Sequence, residues 1–110
     1  GNNLSAQVKA MIGHDFSEGF PVFEAISNAL KMSAPTLRRR LKREGTTFQQ
    51  LKDEARCDAA KLCLERPELS INQVALQLGF TDPSAFHRSF KKWTQQTPGQ
   101  FRATRRVRKS

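Results

Sequence analysis

Apolar residues recur at helical spacing along most of the chain, and no segment shows the period-two alternation of a half-buried strand. The clearest stretch is 69–93. Ser70 and Gln73 have the spacing of a capping box, which starts a helix. Gly79 ends this helix, because a residue without a Cβ adopts the left-handed backbone at little cost. The apolar stripe between these signals comprises Ile71, Val74, Ala75 and Leu78.

A second helix follows this turn at once. Asp82 is a good N-cap residue, and Pro83 suits the first helical position, where its missing N–H would have no partner. Phe86, Phe90 and Trp93 then share the inward face. The outward face carries Ser84, His87, Arg88 and Lys91. A short capped helix that braces a second helix with a basic outer face is typical of a helix-turn-helix unit.

The first half of the chain predicts a similar unit. We expect helices over 4–12, from Pro21 to about Leu30, and from Ala34 to about Glu44, the last capped by Ser33. Their expected inward residues are Leu4, Val8, Met11 and Ile12, then Val22, Ala25, Ile26, Ala29 and Leu30, then Leu37 and Leu41. Lys31 occupies the position that Gly79 has in the other unit. Either this lysine tolerates a left-handed backbone or the turn differs.

The longest expected helix lies between the two units, from Phe48 to about Leu64. Thr47 and Gln50 make a capping box at its start. One apolar face comprises Phe48, Leu51, Ala55, Ala59 and Leu62, and another comprises Cys57, Ala60, Cys63 and Leu64. A helix that is apolar on two sides must be covered from two sides. We therefore interpret it as a connector packed between the two units.

A last short helix is expected after Thr97-Pro98, with Phe101 packing back on the second unit. The basic tail from Arg105 to Ser110 is expected to be frayed. The sequence thus predicts an all-α fold of about seven helices, with two helix-turn-helix units joined by a long connecting helix. The predicted segments are the first unit at 4–45, the connecting helix at 46–66, the second unit at 67–104 and the tail at 105–110.

Charge is distributed unevenly along the chain. The formal net charge is +9, yet the residues up to Met32 are slightly acidic in balance, and no acidic residue follows Asp82. The basic residues after that point are Arg88, Lys91, Lys92, Arg102, Arg105, Arg106, Arg108 and Lys109. Basicity confined to part of a chain indicates that one face binds a polyanion. No apolar run approaches the length of a membrane span, so we expect no membrane partner.

Cysteine and histidine usage argues against a metal site or an enzyme. Cys57 and Cys63 lie six residues apart, on different faces of one helix, and cannot pair with each other. We expect both to be reduced, buried small residues in a cytoplasmic protein. No Cys/His cluster has zinc spacing, and His14 and His87 lack a nucleophile or carboxylate at motif spacing. We expect no metal, no cofactor and no enzymatic activity.

Residues 35–44, PTLRRRLKRE, carry the most specific chemistry of the first half. Arg38 and Arg39 lie in the N-terminal part of the expected recognition helix, which reaches base edges in a major groove. Their planar guanidinium groups can bond O6 and N7 of guanine together. The alternative is a basic helix that binds phosphates without base selectivity. For Lys42 and Arg43, one turn further on, we prefer phosphate contact.

At this point the residues resemble a known family. The segment ALQLGFTDPSAFHRSFKKWTQQTPGQFR is similar to the signature of the AraC/XylS family of bacterial transcription regulators. The matching features are Gly79-Phe80, Phe86 with Phe90, Lys91, and Thr97-Pro98 leading to Phe101-Arg102. The segment MSAPTLRRRLKREGTTFQQL, with Arg56 and Ala60, resembles the first unit and connecting helix of that family.

The resemblance implies a seven-helix domain whose two recognition helices enter neighbouring major-groove segments on one side of the DNA. Carried over by position, the base-reading residues are Pro35, Arg38, Arg39, Pro83, Ser84, His87 and Arg88. The expected phosphate contacts are Lys42, Arg43, Lys91 and Lys92. Two features depart from the family pattern. Gln95 stands where glycine is usual, so the turn into the last helix is expected to differ, and prolines occupy the first exposed position of both recognition helices.

The predicted function is sequence-specific binding of double-stranded promoter or operator DNA by a bacterial transcription regulator. Members of the family usually carry a separate N-terminal effector-binding or dimerisation domain, and RNA polymerase is a further partner to consider. One alternative is a protein-interaction module that contacts RNA polymerase, but such a face would show exposed aromatics or leucines rather than arginine stripes. Another is a nonspecific architectural nucleic-acid binder, against which the polar residues Ser84 and His87 argue.

Overall fold

The structure is a computed structural model that describes residues 3–13, 16, 19 and 21–109, with side chains as far as Arg105. In this part of the chain there are seven α-helices and no strand, which confirms the all-α prediction. The helices are α1 (Leu4–Ile12), α2 (Phe23–Ala29), α3 (Ala34–Arg43), α4 (Phe48–Leu64), α5 (Ile71–Gln77), α6 (Pro83–Thr94) and α7 (Pro98–Lys109). None of the described helices combines the length and apolar character that crossing a membrane requires.

The chain divides into two compact units. Unit 1 comprises residues 1–14 and 19–55, and unit 2 comprises residues 15–18 and 56–110. In unit 1, α3 packs against α1 and α2. The buried apolar residues of those three helices are Val8, Ile12, Ile26, Leu37 and Leu41. In unit 2, α6 packs against α5 and α7, and its core is largely aromatic. Its buried residues include Phe16, Leu64, Val74, Leu78, Phe80, Phe86, Phe90 and Phe101.

The helix α4 begins and ends where the sequence predicted. Thr47 and Gln50 form the expected capping box, with each backbone N–H bonded at 3.1 Å to the other residue's side-chain oxygen. The part of α4 up to Ala55 belongs to unit 1 and the rest to unit 2. The prediction that Leu62 lies on a covered apolar face is wrong, because its side chain is 59% exposed. The two cysteines of α4 are free thiols but only half-buried, so the expectation of full burial is also wrong.

In α1 and α2 the residues that face inward differ from those that the sequence predicted. Met11 of α1 is exposed rather than buried. In α2 the inward stripe is Phe23, Ile26, Ser27 and Leu30, and the expected members that are exposed instead are Val22, Ala25 and Ala29. The pattern missed Ser27 because a hydroxyl counts as polar. Its Oγ donates to the carbonyl of Glu24 at 2.9 Å, which satisfies the group inside the helix and permits its burial.

The C-terminal region is more regular than the sequence suggested. Thr97 and Gln100 cap α7 reciprocally, at 2.9 and 3.1 Å, and the helix extends to Lys109, further than the short helix that the sequence predicted. Arg105, expected to begin the basic tail, pairs through Nη2 with Glu65 at 2.8 Å. Gln95, which stands where glycine is usual in the family, has a left-handed backbone with a φ of 67°, the conformation that favours glycine. Residues 14, 15, 17 and 18 of the predicted loop at 13–19, and Ser110, lie outside the described part.

Candidate nucleic-acid interface

The turns that lead into α3 and α6 have the same backbone geometry. Each contains a left-handed residue, Lys31 with φ 59° in one and Gly79 with φ 85° in the other. The backbone N–H of the next residue then donates to the carbonyl oxygen five positions earlier in the chain. The two bonds run from Met32 to Ser27 and from Phe80 to Ala75, both at 3.0 Å. Of the two alternatives that the sequence left open for Lys31, the structure shows the first: the lysine adopts a left-handed backbone. Two helix-turn-helix units are present, and each presents its second helix in the same way.

One face of α3 is anchored in the core of unit 1, and this fixes the opposite face in solvent. Leu37 and Leu41 are 0% and 1% exposed. The Ser33 Oγ accepts the backbone N–H of Thr36 at 3.2 Å and caps the first turn. Every predicted DNA-contacting residue of this helix is exposed, namely Pro35, Arg38, Arg39, Lys42 and Arg43. The structure therefore brings these five residues together on the solvent side of α3.

Two of the α3 arginines have a neighbour that restrains them. The Cζ of Arg38 lies 5.1 Å from the ring centroid of Phe23, at the start of α2. The Nη2 of Arg39 donates to the Oγ1 of Thr36 at 3.3 Å. No ion pair between described residues involves a basic residue of α3 or α6. Apart from Arg40, whose charge helps to lower the pKa of the Glu44 carboxyl, these cationic groups thus have their charge available to an external anion.

The position of α6 is fixed by aromatic packing in unit 2. The Oδ1 of Asp82 accepts the backbone N–H of Ser84 at 3.0 Å, which caps the helix as predicted. Phe86 and Phe90 are both 0% exposed, and their ring centroids lie 5.8 Å apart. Trp93, the third predicted inward aromatic, is half-buried and lies 6.4 Å from the ring of Phe80. The inward face of α6 is as the sequence predicted.

The outward face of α6 holds the remaining predicted DNA contacts. Ser84, Arg88, Lys91 and Lys92 are exposed, whereas Pro83 and His87 are half-buried. The imidazole of His87 meets the Phe86 ring edge-on with centroids 6.1 Å apart, so one side of it is packed and the other is open. The predicted residues of α6 therefore share one surface, with two of them set closer to the core than expected.

Phe16 and Arg56 contact the turn before α6, a role that the sequence did not predict for either residue. The carbonyl oxygen of Phe16 lies only 2.7 Å from where a Cβ on Gly79 would stand. Arg56 braces the same turn, because its Nε donates to the Leu78 carbonyl at 3.0 Å and its Cζ lies 3.9 Å from the Phe80 ring centroid. The sequence offered two signals for these contacts. Phe16 is the one apolar residue of a polar loop, and Arg56 interrupts an otherwise apolar face of α4.

One acidic group next to α3 serves a structural contact. The Glu44 carboxylate, just after α3, accepts the backbone N–H groups of Leu4 and Ser5 at 3.2 and 2.8 Å and the Ser5 hydroxyl. These bonds, the Ser5 hydroxyl foremost, hold the pKa of the Glu44 carboxyl below its usual value. No group of three or more His, Cys, Asp or Glu side chains in the described part could hold a metal ion.

Known proteins resemble the chain in sequence and in fold. A family model described as a helix-turn-helix domain matches residues 26–104. The ornithine utilization regulator of Pseudomonas aeruginosa is 41% identical over 83 residues, which are 76% of this chain and 24% of that protein. The chain spans about a quarter of the length of the curated relatives it matches.

Two solved structures show the same fold over nearly the whole chain. A transcriptional regulator with an AraC-type DNA-binding domain from Chromobacterium violaceum aligns with a TM-score of 0.79 and 25% identity, over 94% of this chain and 96% of that one. The DNA-binding domain of the transcriptional factor AdpA, solved in complex with a target DNA, aligns with a TM-score of 0.72 and 30% identity, over 97% and 96%. Taken with the family model, the two helix-turn-helix units and the all-α fold, these matches show that the chain belongs to the AraC-type family of helix-turn-helix DNA-binding domains found in transcriptional regulators.

Proposed function

We propose that this chain binds double-stranded DNA sequence-specifically, with α3 and α6 each inserted in a major groove. The observation that carries the proposal is the solvent face of these two helices. Their inward leucines and phenylalanines fix each helix, while the outward basic residues are exposed and have no carboxylate partner among the described residues. An uncompensated cationic helix face on a rigid support suits the phosphate-lined walls of a major groove.

Base reading is assigned to residues of the first two turns of each helix. These are Pro35, Arg38 and Arg39 on α3, and Pro83, Ser84, His87 and Arg88 on α6. Each proline lacks a polar side chain, so it contributes only apolar contact, to a thymine methyl for example. Arginines are suited to guanine and Ser84 to several bases. We assign phosphate contact to Lys42, Arg43, Lys91 and Lys92, which lie further along the two helices.

Selection of binding sites from random DNA, followed by affinity measurements at several salt concentrations, tests the proposal. We expect a defined consensus together with a fall of log K against log salt with a slope of about −5, as expected if about six phosphates are neutralised. A pool that gives no consensus would leave a nonspecific architectural binder. An affinity that does not change with salt would contradict nucleic-acid binding altogether.

The involvement of both helices requires a separate measurement. If each enters a groove, a single chain protects two segments about 10 base pairs apart on one face of the DNA. Hydroxyl-radical footprinting on the selected site measures this directly. Protection of one segment only would mean that one of the two units serves as a scaffold.

The wider setting of the domain is also a proposal. Because the matched relatives are about four times as long, we propose that the natural protein joins this domain to an N-terminal effector-binding or dimerisation domain. We place it in the cytoplasm, acting by binding and not by catalysis. RNA polymerase is the proposed protein partner, and the exposed Leu62 and Leu76 of unit 2 favour such a contact. Bacterial two-hybrid assays with polymerase subunits, comparing the chain with a Leu62→Ser, Leu76→Ser variant, test that partner.

A further inference from the structure

The contact between Arg38 and Phe23 distinguishes this arginine from the other exposed cations of α3. Of the basic residues described on that helix, Arg38 is the one whose guanidinium lies over an aromatic ring, with 5.1 Å between Cζ and the ring centroid. Phe23 is the first residue of α2, so its ring is carried by the bracing helix of the same helix-turn-helix unit. The contact therefore joins a proposed base-reading side chain to the helix that supports it.

The ring under Arg38 is itself held in place. The centroid of Phe23 lies 4.9 Å from that of Phe48, at an interplanar angle of 58°. Phe48 opens α4, and the ammonium of Lys52 lies 5.3 Å from its centroid. Both rings are half-buried, so each has a packed side and an open one. The first turns of α2 and α4 thus supply a fixed aromatic support on one side of Arg38.

Such a support changes what an arginine can do in a groove. A free arginine side chain has many rotamers, and it loses this conformational entropy when it binds. Paired bonding to O6 and N7 of guanine also requires that the guanidinium lie in the plane of the base. A ring face attracts the guanidinium and limits the planes that it samples before the DNA arrives. Less freedom is then lost on binding, and misaligned contacts to other bases are disfavoured.

We propose that Phe23 is a positioning residue for base recognition, which orients the Arg38 guanidinium for a guanine edge. The inference rests on the proposed function, because it assigns a cause of selectivity to one of the proposed readers. It predicts that Phe23 influences the preference at a single base pair without contacting the DNA.

The test uses the full chain and its selected DNA site. Arg38→Ala first identifies the base pair at which guanine preference is lost. Phe23→Leu, which keeps an apolar side chain but removes the ring, should lower the guanine preference at that base pair by about twofold to fivefold, the effect expected of one exposed cation–ring contact. Preference at the other positions should not change, and Phe23→Tyr should restore the wild-type value.

A matched control separates orientation from packing. Phe48→Leu removes the neighbouring ring of the same half-buried pair but leaves the ring that contacts Arg38. It should lower the guanine preference less than Phe23→Leu does, because the ring that contacts Arg38 is still present although it has lost a neighbour. Substitution of Phe23 by 3,4,5-trifluorophenylalanine keeps the shape of the ring while weakening its negative face, and should act like Phe23→Leu. This second variant holds the core intact if leucine proves destabilising.

The effect of Phe23 must also depend on Arg38. In the Arg38→Ala background, Phe23→Leu should change the guanine preference no further. A persisting effect, an equal effect of Phe48→Leu, or a loss spread evenly over all positions would overturn the inference. So would an Arg38→Ala variant that keeps its guanine preference. In each of those cases the wild-type chain still selects a consensus, whereas failure of the proposed function would appear as no consensus at all.

Discussion

Replacement of Gly79 by alanine should destabilise unit 2 through two separable effects. The first is conformational, because Gly79 has a φ of 85°, where an L-residue is strained by about 1–2 kcal/mol. Part of this strain is offset, because alanine lowers the conformational entropy of the unfolded chain, which favours the folded state by about 0.4–1 kcal/mol. The second effect is steric. A Cβ on Gly79 would lie 2.7 Å from the backbone carbonyl oxygen of Phe16, closer than real Cβ contacts allow.

Gly45 supplies a matched control for the steric effect. It has the same φ of 85°, and nothing lies within 4 Å of where its Cβ would stand. Gly45→Ala should therefore cost about 1 kcal/mol, the net conformational effect alone. Gly79→Ala should cost about 2–4 kcal/mol, because relief of a clash in packed surroundings adds about 1–3 kcal/mol.

Urea unfolding of the wild type and both variants measures these differences. Far-UV circular dichroism follows all seven helices. The chain has one tryptophan, Trp93, which lies in unit 2, so its fluorescence follows the surroundings of α6 in that unit. If the two probes give different midpoints, the fluorescence transition is the relevant one for Gly79. Equal destabilisation by Gly45→Ala and Gly79→Ala would refute the reasoning, since the contact with Phe16 would then contribute nothing.

Three further predictions concern charge and ionisation. Arg88→Ala should cost about 1–3 kcal/mol of binding free energy on the selected site and relax selectivity at one or two base pairs. Lys91→Ala should instead weaken binding to all sequences alike and flatten the salt slope by about one. Equal loss of specific and nonspecific affinity in Arg88→Ala would make Arg88 a phosphate contact. Because the hydrogen bonds from Ser5 lower the pKa of the Glu44 carboxyl, its contribution to stability is complete above the unfolded value near 4.5 and is lost as pH falls through the folded value. Glu44→Gln should flatten that acid dependence in urea titrations, and coincident pH profiles would contradict it. Burial raises the pKa of the Cys63 thiol, so iodoacetamide should alkylate it more slowly in the folded than in the unfolded chain, a comparison best made in a Cys57→Ser background.

Local signals in the sequence were sufficient for the helices and their caps. Each cap depends on residues only three positions apart, as with Ser70 and Gln73, whose two reciprocal bonds are both present at 2.7 and 3.0 Å. Gly79 likewise ended α5 where expected, with the left-handed backbone that glycine favours. The family resemblance is confirmed as well, since it depends on positions that these same caps and turns hold at fixed spacing.

The features that the sequence did not predict depend on contacts between distant segments. The burial of Phe16 follows from its approach to Gly79, 63 residues later, and no periodicity along the chain reports such an approach. The exposure of Leu62 also depends on distant segments, because an apolar face of α4 is covered only where another segment packs against it. The individual DNA contacts of Arg38 and Arg88 stay predictions, since exposure and charge indicate a surface but do not identify the base.

The assignment of Phe16 to unit 2 has a consequence for dissection of the domain. Phe16 precedes α2 in the sequence, yet it is 1% exposed and belongs with the residues that follow Ala55. Neither unit is therefore one continuous stretch of chain. A fragment that begins at residue 56 would lack this ring, and the loss of a buried phenylalanine typically costs about 3–5 kcal/mol, comparable with the whole stability of so small a fragment. During synthesis, too, unit 2 completes its core only when an early residue meets segments that leave the ribosome much later.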